Sequence, residues 1–261
     1  MRVLLLGATG NLGLRLIPAL LAHKHTVIVY VRSPDKLRQF ISPALYNLIT
    51  VTTGDTLDSS AVEAALRTHS CDALVQTSGT HRPFNEEQEL GRMATSVSNA
   101  AIRISRERGG KPVRGWVIGG LSSMEYPGTG GWQIQDYMPG WLLLHHYQTE
   151  LVMKDMSTSE FEWSLLCVAM MRPVSTSIDV LERPRGHGLA VGTGAPPAWK
   201  DGWLRYVPFI GVYLNLIGAI MSYTTKLDDV ADLIAEDLAR NDSSPYVGKF
   251  VAMKDVGQKS A

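Results

Sequence analysis

Two cysteines in 261 residues leave little scope for covalent stapling. Cys71 and Cys167 lie far apart, each in an apolar segment, which favours buried free thiols over a disulfide and a reducing, cytoplasmic compartment. Neither sign of charge is in excess: 25 Lys and Arg balance 25 Asp and Glu. A nucleic-acid binder ordinarily carries a basic surplus, so no nucleic-acid partner is expected. Long apolar runs are missing too. The first one is short and breaks at once into glycines, unlike a signal peptide. The longest later one, "YVPFIGVYLNLIGAIM" at 206–221, falls short of the roughly 20 residues of a membrane span. It also contains Pro208, Asn215, Gly211 and Gly218, and reads as a buried or pocket-covering helix, so no membrane partner is expected. Neither a Gly-x-Ser-x-Gly elbow nor a Cys/His cluster of metal-ligand spacing occurs, so no metal is expected.

What is there alternates. Apolar β-type runs at 2–6, 26–31, 48–53, 73–77, 115–118 and 163–167 are separated by helical patterns at 11–22, 35–40, 59–68, 86–107 and 141–156. Short, nearly all-apolar strands between helices predict an α/β fold with a Rossmann-type parallel sheet covered on both faces. From about Val174 the composition shifts to a Gly- and Pro-rich stretch, then the 206–221 run. Next comes a helix with Leu227, Val230, Ala231, Ile234 and Leu238 on one face and Thr224 or Thr225 as its cap. A last strand is expected at 249–253. The organisation expected is a core over 1–173 and a substrate-covering region over 174–261, whose final helix and strand complete the same domain.

The stretch "LLLGATGNLG", Leu4 to Gly13, spends three glycines between a strand and a helix. Gly7 permits a tight turn, Gly10 lets a pyrophosphate approach the backbone, and Gly13 allows helix to pack on strand. The helix start, with Thr9, Asn11 and Leu12, then offers free N–H groups to phosphates. An NAD site usually places Asp or Glu at the end of the second strand, about 20 residues on. Here that strand runs into Arg32, Ser33 and Lys36, with no acid from Thr26 to Ser33. A guanidinium fork and an ammonium suit a 2′-phosphate, so the expected cofactor is NADP(H). Asp55 and Thr56 end the third strand, where a carboxylate can meet the adenine amino group. Thr77, Ser78 and Gly79 end the fourth and can line the nicotinamide ribose.

"GATGNLG", "VRSPDKL", Gly54-Asp55, "SLLCVAMMRP" and "DDVADLIAEDL" together resemble the NmrA-like atypical short-chain dehydrogenases/reductases, over nearly the whole chain. The C-terminal pattern is similar, more narrowly, to fungal secondary-metabolite oxidoreductases of the averufin-oxidase kind. The resemblance implies a Rossmann sheet with a small substrate region. It implies an NADPH-dependent enzyme, although relatives also include isomerases and dinucleotide sensors. An ordinary short-chain dehydrogenase uses a Ser after the fifth strand and a Tyr-x-x-x-Lys on the next helix. Ser122 and Ser123 match the former, and nothing here matches the latter: Tyr126, Tyr137 and Tyr147 are followed four residues on by Gly130, Trp141 and Leu151. Aligning Glu150 with the glutamate that often follows the family lysine puts His146, with His145 beside it, at the lysine position. Imidazole is a competent acid or base near neutral pH. The proton donor is therefore sought among His146, His145, Ser123 and Tyr137, with Tyr126 as a further phenol.

The function expected is NADPH-dependent oxidation or reduction of a bulky aromatic or polyketide-type small molecule in secondary-metabolite biosynthesis. The 206–221 run and Trp132, Trp141, Trp199 and Trp203 are expected to form or cover its pocket. The alternatives are an NADP-binding isomerase, cyclase or rearrangement enzyme without net redox, and a non-enzymatic NADP sensor. Oligomeric state stays open, with a homodimer among the options.

Overall fold

Val3, Leu4, Leu5 and Leu6 have no solvent-exposed surface, and alternate residues point to opposite faces, so the first strand must be covered on both sides. The computed structural model, which describes residues 1–79, 87–138, 147–174, 178–208, 210–240 and 243–256, shows how. Strand β1 (Arg2–Leu6) lies between β2 (Thr26–Val31) and β4 (Ala73–Gln76), with β3 (Thr50–Thr53) outside β2. On the other side follow β5 (Val113–Gly120), β6 (Phe161–Val168), β10 (Lys249–Asp255) and β8 (Leu189–Thr193). The eight-stranded order is β3-β2-β1-β4-β5-β6-β10-β8, parallel except for β8, which runs antiparallel to β10. A separate parallel pair joins β7 (Met170–Arg172) to β9 (Thr224–Lys226).

Val3, Leu5, Val27 and Val29 pack against α1 (Asn11–Ala22) and α8 (Leu227–Ala239) on one face. Leu4, Leu6, Ile28 and Leu74 pack against α4 (Ser59–Thr68) and α5 (Glu87–Glu107) on the other, where Met153 of α6 (Tyr147–Lys154) joins them. Two short helices, α2 (Pro34–Arg38) and α3 (Pro43–Tyr46), replace the single helix expected at 35–40. Each begins with the same device, a capping serine followed by proline at the first helical position: Ser33–Pro34 and Ser42–Pro43. Of the helix expected at 141–156, 141–146 lie outside the described residues. Cys71 and Cys167 are buried free thiols, and burial pushes that of Cys71 up to about 12. Among the described residues no helix is long and apolar enough to cross a membrane.

Past Val174, β8 and β10 extend the main sheet, while α7 (Gly211–Ser222) rides above it. Thr224 and Thr225 do not cap α8, which has no side-chain cap. Pairing with Met170–Arg172 holds both threonines in β9, and Lys226 takes the cap position. A buried polar cluster fastens the α7 region to the core. Asp201 accepts from the Tyr126 hydroxyl at 3.0 Å, Trp199 Nε1 at 3.0 Å and Asn215 Nδ2 at 2.7 Å. Asn215 in turn accepts the Gly202 N–H at 2.6 Å.

A second cluster joins the sheet to α8. Asp237 is 2 % exposed and accepts from Arg114 Nη2 at 2.7 Å, Trp116 Nε1 at 2.9 Å and the Ser244 hydroxyl at 2.6 Å. Burial lowers the Arg114 pKa, and Asp237 opposes that shift. Breaking such a pair strands a buried guanidinium at a cost of about 3 kcal/mol. Asp237→Asn should lower unfolding free energy by about that amount in urea titration, and a loss within ordinary surface-mutation scatter would mean that the pair does not join α8 to the sheet.

Candidate functional site

Strands β1 and β4 are neighbours, but the chain leaves β1 into α1 on one face and returns to β5 through α5 on the other. A crevice opens at such a switch point, above the carboxyl ends of the strands. It holds a cavity of about 710 Å³.

The cavity floor is main chain. Gly7 has φ +84°, and a Cβ there would lie 2.4 Å from Ser78 N, so no side chain fits. Gly10 N–H donates to Gly7 O at 2.9 Å, closing the turn. Thr9, Gly10, Asn11 and Leu12 line the cavity. Helix α1 starts at Asn11 with no side-chain cap and no acid in its first turn, which leaves its amide dipoles available to an anion. Gly13 does not reach the cavity wall: a Cβ there would lie 2.2 Å from Gly7 O, so Gly13 serves the packing of α1 on the β1 turn. It belongs to the support of the site rather than its surface.

Arg32, Ser33 and Lys36 line one end of the cavity. Arg32 and Lys36 are exposed, and among the described residues no carboxylate pairs with either. The Ser33 hydroxyl accepts Lys36 N–H at 3.3 Å and is thereby committed to capping α2. Asp55, also in the wall, accepts Leu57 N–H at 3.0 Å. Tyr30 lines this end as well, a residue the sequence reading passed over. Its ring occupies the space a Gly54 side chain would need, a Cβ there falling 2.0 Å from the Tyr30 hydroxyl. That hydroxyl donates to Asp55 O at 3.2 Å, and burial, then the charges of Asp58 and Asp55, push its pKa up to about 12. An aromatic residue ending a strand, opposite a glycine ending the next, was the signal available for it.

Midway, Thr77, Ser78 and Gly79 enter the wall. The Thr77 hydroxyl is spent on Leu6 O at 3.0 Å, holding β4 to β1. The hydroxyls of Thr56 and Ser78 meet at 3.2 Å, and buried Gln76 donates to Ser78 O at 2.9 Å. Gly79 faces open space.

The inner chamber is apolar. Four thioethers, Met93, Met138, Met170 and Met171, line it with aliphatic side chains such as Leu90, Leu121, Val168 and Ile220. Its polar side chain among the described residues is Ser122, in the 3-10 turn Leu121–Ser123 that follows β5. Ser122 is 4 % exposed, and its hydroxyl has no partner among the described residues.

The expected proton donors are not assembled as anticipated. Ser123 is buried outside the cavity wall, which its neighbour Ser122 enters, and the hydroxyl oxygens of both are sealed from accessible space. Tyr137 also lies outside the wall. Its ring packs edge-on to Tyr126, centroids 5.3 Å apart, and the next residue, Met138, faces the cavity. Tyr126 is sealed in the Asp201 cluster, with its pKa raised to about 12 by burial first and by Asp201 second. His145 and His146 fall outside the described residues.

The tryptophans do not line the chamber either. Trp132 and Trp203 are 60 % and 76 % exposed, and Trp199 packs between Tyr126 and Tyr223. Trp141 lies outside the described residues. From the 206–221 run only Ile220, among the described residues, reaches the cavity, since Leu216 and Ala219 are buried and Leu216 packs into the core.

Solved structures share this architecture. A short-chain dehydrogenase/reductase from Veillonella parvula in complex with NADP is 16% identical, at a TM-score of 0.59 over 98% of this chain and 95% of that one. The anaerobillin reductase ChuY of Escherichia coli O157:H7 is 16% identical, at 0.58 over all of both chains. A Lactobacillus casei protein is 13% identical, at 0.66 over 98% of this chain and 100% of that one. At these identities the likeness is one of fold. No curated protein matches the sequence. The sequence profile of the NAD(P)H-binding family matches residues 7–182, more than half the chain and the cavity residues from Gly7 to Met171 but not Ile220, and the chain belongs to that family.

Proposed function

We propose that this protein is an NADPH-dependent oxidoreductase that reduces a carbonyl on a bulky aromatic or polyketide-type small molecule, of the kind handled by fungal secondary-metabolite enzymes. One observation carries the reading: a cavity runs from two cations that no carboxylate among the described residues pairs with, past an uncapped helix start, into a thioether-lined chamber. The cations suit a 2′-phosphate, the helix start suits a pyrophosphate, and methionine adapts to flat aromatic surfaces. When bound, the dinucleotide supplies the hydride. His146, four residues before Glu150 in the sequence, remains the favoured proton source, with His145 beside it.

A specific observation supports a second reading, rearrangement without net redox. Among the described residues the titratable groups of the cavity wall, Tyr30, Arg32, Lys36 and Asp55, cluster at its other end. A chamber with no acid or base among the described residues suits a reaction driven by orientation alone.

Cofactor choice is tested by calorimetry. Wild type should bind NADPH more tightly than NADH, and Arg32→Ala should weaken NADPH binding by roughly 1.5 kcal/mol, about tenfold. NADH binding should hardly change, and equal wild-type affinity for both cofactors would refute the assignment.

Chemistry is tested with phenanthrenequinone, a neutral polycyclic diketone. Its reduction should consume NADPH mole for mole, followed by the loss of the reduced-nicotinamide absorbance. His146→Ala should lower kcat by about a hundredfold, with NADPH affinity within a few-fold. Product formation from a chamber ligand without NADPH consumption would favour rearrangement, and full activity of His146→Ala would move the proton donor elsewhere.

A further inference from the structure

An apolar stripe lies open along α7. Ile210, Leu214, Ile217 and Met221 follow at helical spacing, which puts them on one face. Ile210, Leu214 and Met221 are exposed, whereas the opposite face buries Gly211, Asn215, Leu216 and Ala219. The 3-10 turn Trp203–Tyr206 sits against the start of the helix: Gly211 N–H donates to Val207 O at 3.0 Å, and a Cβ on Gly211 would lie 2.2 Å from Leu204 O. That turn carries Trp203 and Tyr206, the two most exposed large hydrophobic side chains among the described residues. A contiguous apolar surface of this kind marks a place of contact. Charge is arranged around it. From Gly202 to Thr225 the sequence has one charged residue, Arg205, which pairs with Asp201. Beyond the two ends lie exposed cations. Lys200 precedes Trp203 by three residues, and Arg172 of β7 lies opposite Lys226 of β9. Among the described residues neither Lys200 nor Arg172 has a carboxylate partner, whereas Lys226 pairs with Asp255.

We propose that this surface docks on an anionic lipid bilayer, with α7 lying along the headgroup layer and Trp203, Tyr206, Ile210, Leu214 and Met221 immersed in it. The run is too short to span, but an interfacial helix does not span: it lies in the plane of the surface with its apolar face down. Trp and Tyr join an apolar body to a polar tip, which suits them to headgroup depth. Lys200 and Arg172 then meet lipid phosphates. A second copy of this chain would instead bring them the same acid-free stretch and the same cations, so charge favours lipid. The stripe also ends beside the chamber. Ile220 lines the cavity, while Met221, the next residue, is exposed. Met170 does both, being 44 % exposed and part of the cavity wall, and its N–H donates to Tyr223 O at 3.4 Å, just past the end of α7. A bilayer that holds the stripe therefore lies next to the exposed edge of the chamber, and a bulky apolar substrate dissolved in lipid enters without crossing water. Docking stands by itself, and this delivery step rests on the reductase reading.

The test uses the full chain and co-sedimentation with vesicles of phosphatidylcholine mixed with phosphatidylserine. Wild type should bind, and more weakly as salt rises. Trp203→Ser, Tyr206→Ser and Met221→Ser combined should lower the partition coefficient at least about tenfold. Lys200→Ala and Arg172→Ala should each lower it about fivefold, and leave binding to pure phosphatidylcholine unchanged. These side chains are exposed, so the variants should keep the wild-type melting temperature. Brominated lipid should quench wild-type tryptophan fluorescence, and Trp203→Phe should bind but lose that quenching. Failure of wild type to bind, or equal binding by the triple serine variant, overturns the proposal. So does a wild-type dimer in sedimentation that the triple variant dissociates, since the surface then belongs to a second copy. Delivery is read with phenanthrenequinone: kcat/KM for vesicle-borne quinone should fall at least about tenfold in the triple variant, with that for quinone in solution unchanged. Equal loss in both formats overturns delivery. A wild type that binds vesicles but leaves the quinone untouched overturns the reductase reading and not the docking.

Discussion

Everything at the site hangs on the contact of two stretches of main chain. The turn after β1 meets the end of β4 so closely that a Cβ on Gly7 would collide with Ser78 N, and α1 meets that turn so closely that a Cβ on Gly13 would collide with Gly7 O. These contacts bring the start of α1 to the switch point of the sheet, where its unpaired amides face the crevice. Thr77 reinforces the junction from the other side, its hydroxyl bonding to Leu6 O. The motif is thus as much about packing as about phosphate: of its three glycines, two line the cavity and one only supports it.

Two buried polar clusters then decide where the C-terminal third goes. Arg114 and Asp237 lock α8 to the middle of the sheet, so that the last helix belongs to the same core as the first. Asp201, with Tyr126, Trp199 and Asn215 around it, pins the α7 region over the far face. Both clusters join residues distant in sequence, and both leave apolar surface nearby to provide most of the stabilisation, which burial does without regard to direction. The polar bonds select which of several apolar arrangements is adopted.

The cavity is divided by chemistry. Cations and a helix start mark one end, and thioethers with aliphatic side chains mark the other. The division follows from topology: the residues of the cationic end come from turns after β1 and β2, whereas the chamber collects α5, the turn after β5, β7 and α7. The first group is local to a glycine motif. The second is gathered from distant parts of the chain.

That difference explains what could be read in advance. Sequence alone determined the parallel sheet, because strands such as 2–6 and 26–31 are apolar on both faces and alternate with helical patterns. It also placed Gly7, Gly10, Arg32 and Lys36 at one crevice, since each sits within a few residues of a strand end. Tertiary structure alone decided that Ser122 rather than Ser123 enters the cavity wall, that Tyr126 and Trp199 are spent on Asp201, and that the exposed Trp203 lies away from the cavity. It likewise turned Thr224 and Thr225 from a helix cap into a strand, by pairing them with Met170–Arg172. The physical reason is one of range. Strand and turn preferences act over a few residues and are written in local pattern, whereas the aim of a side chain is set by partners brought beside it from far along the chain.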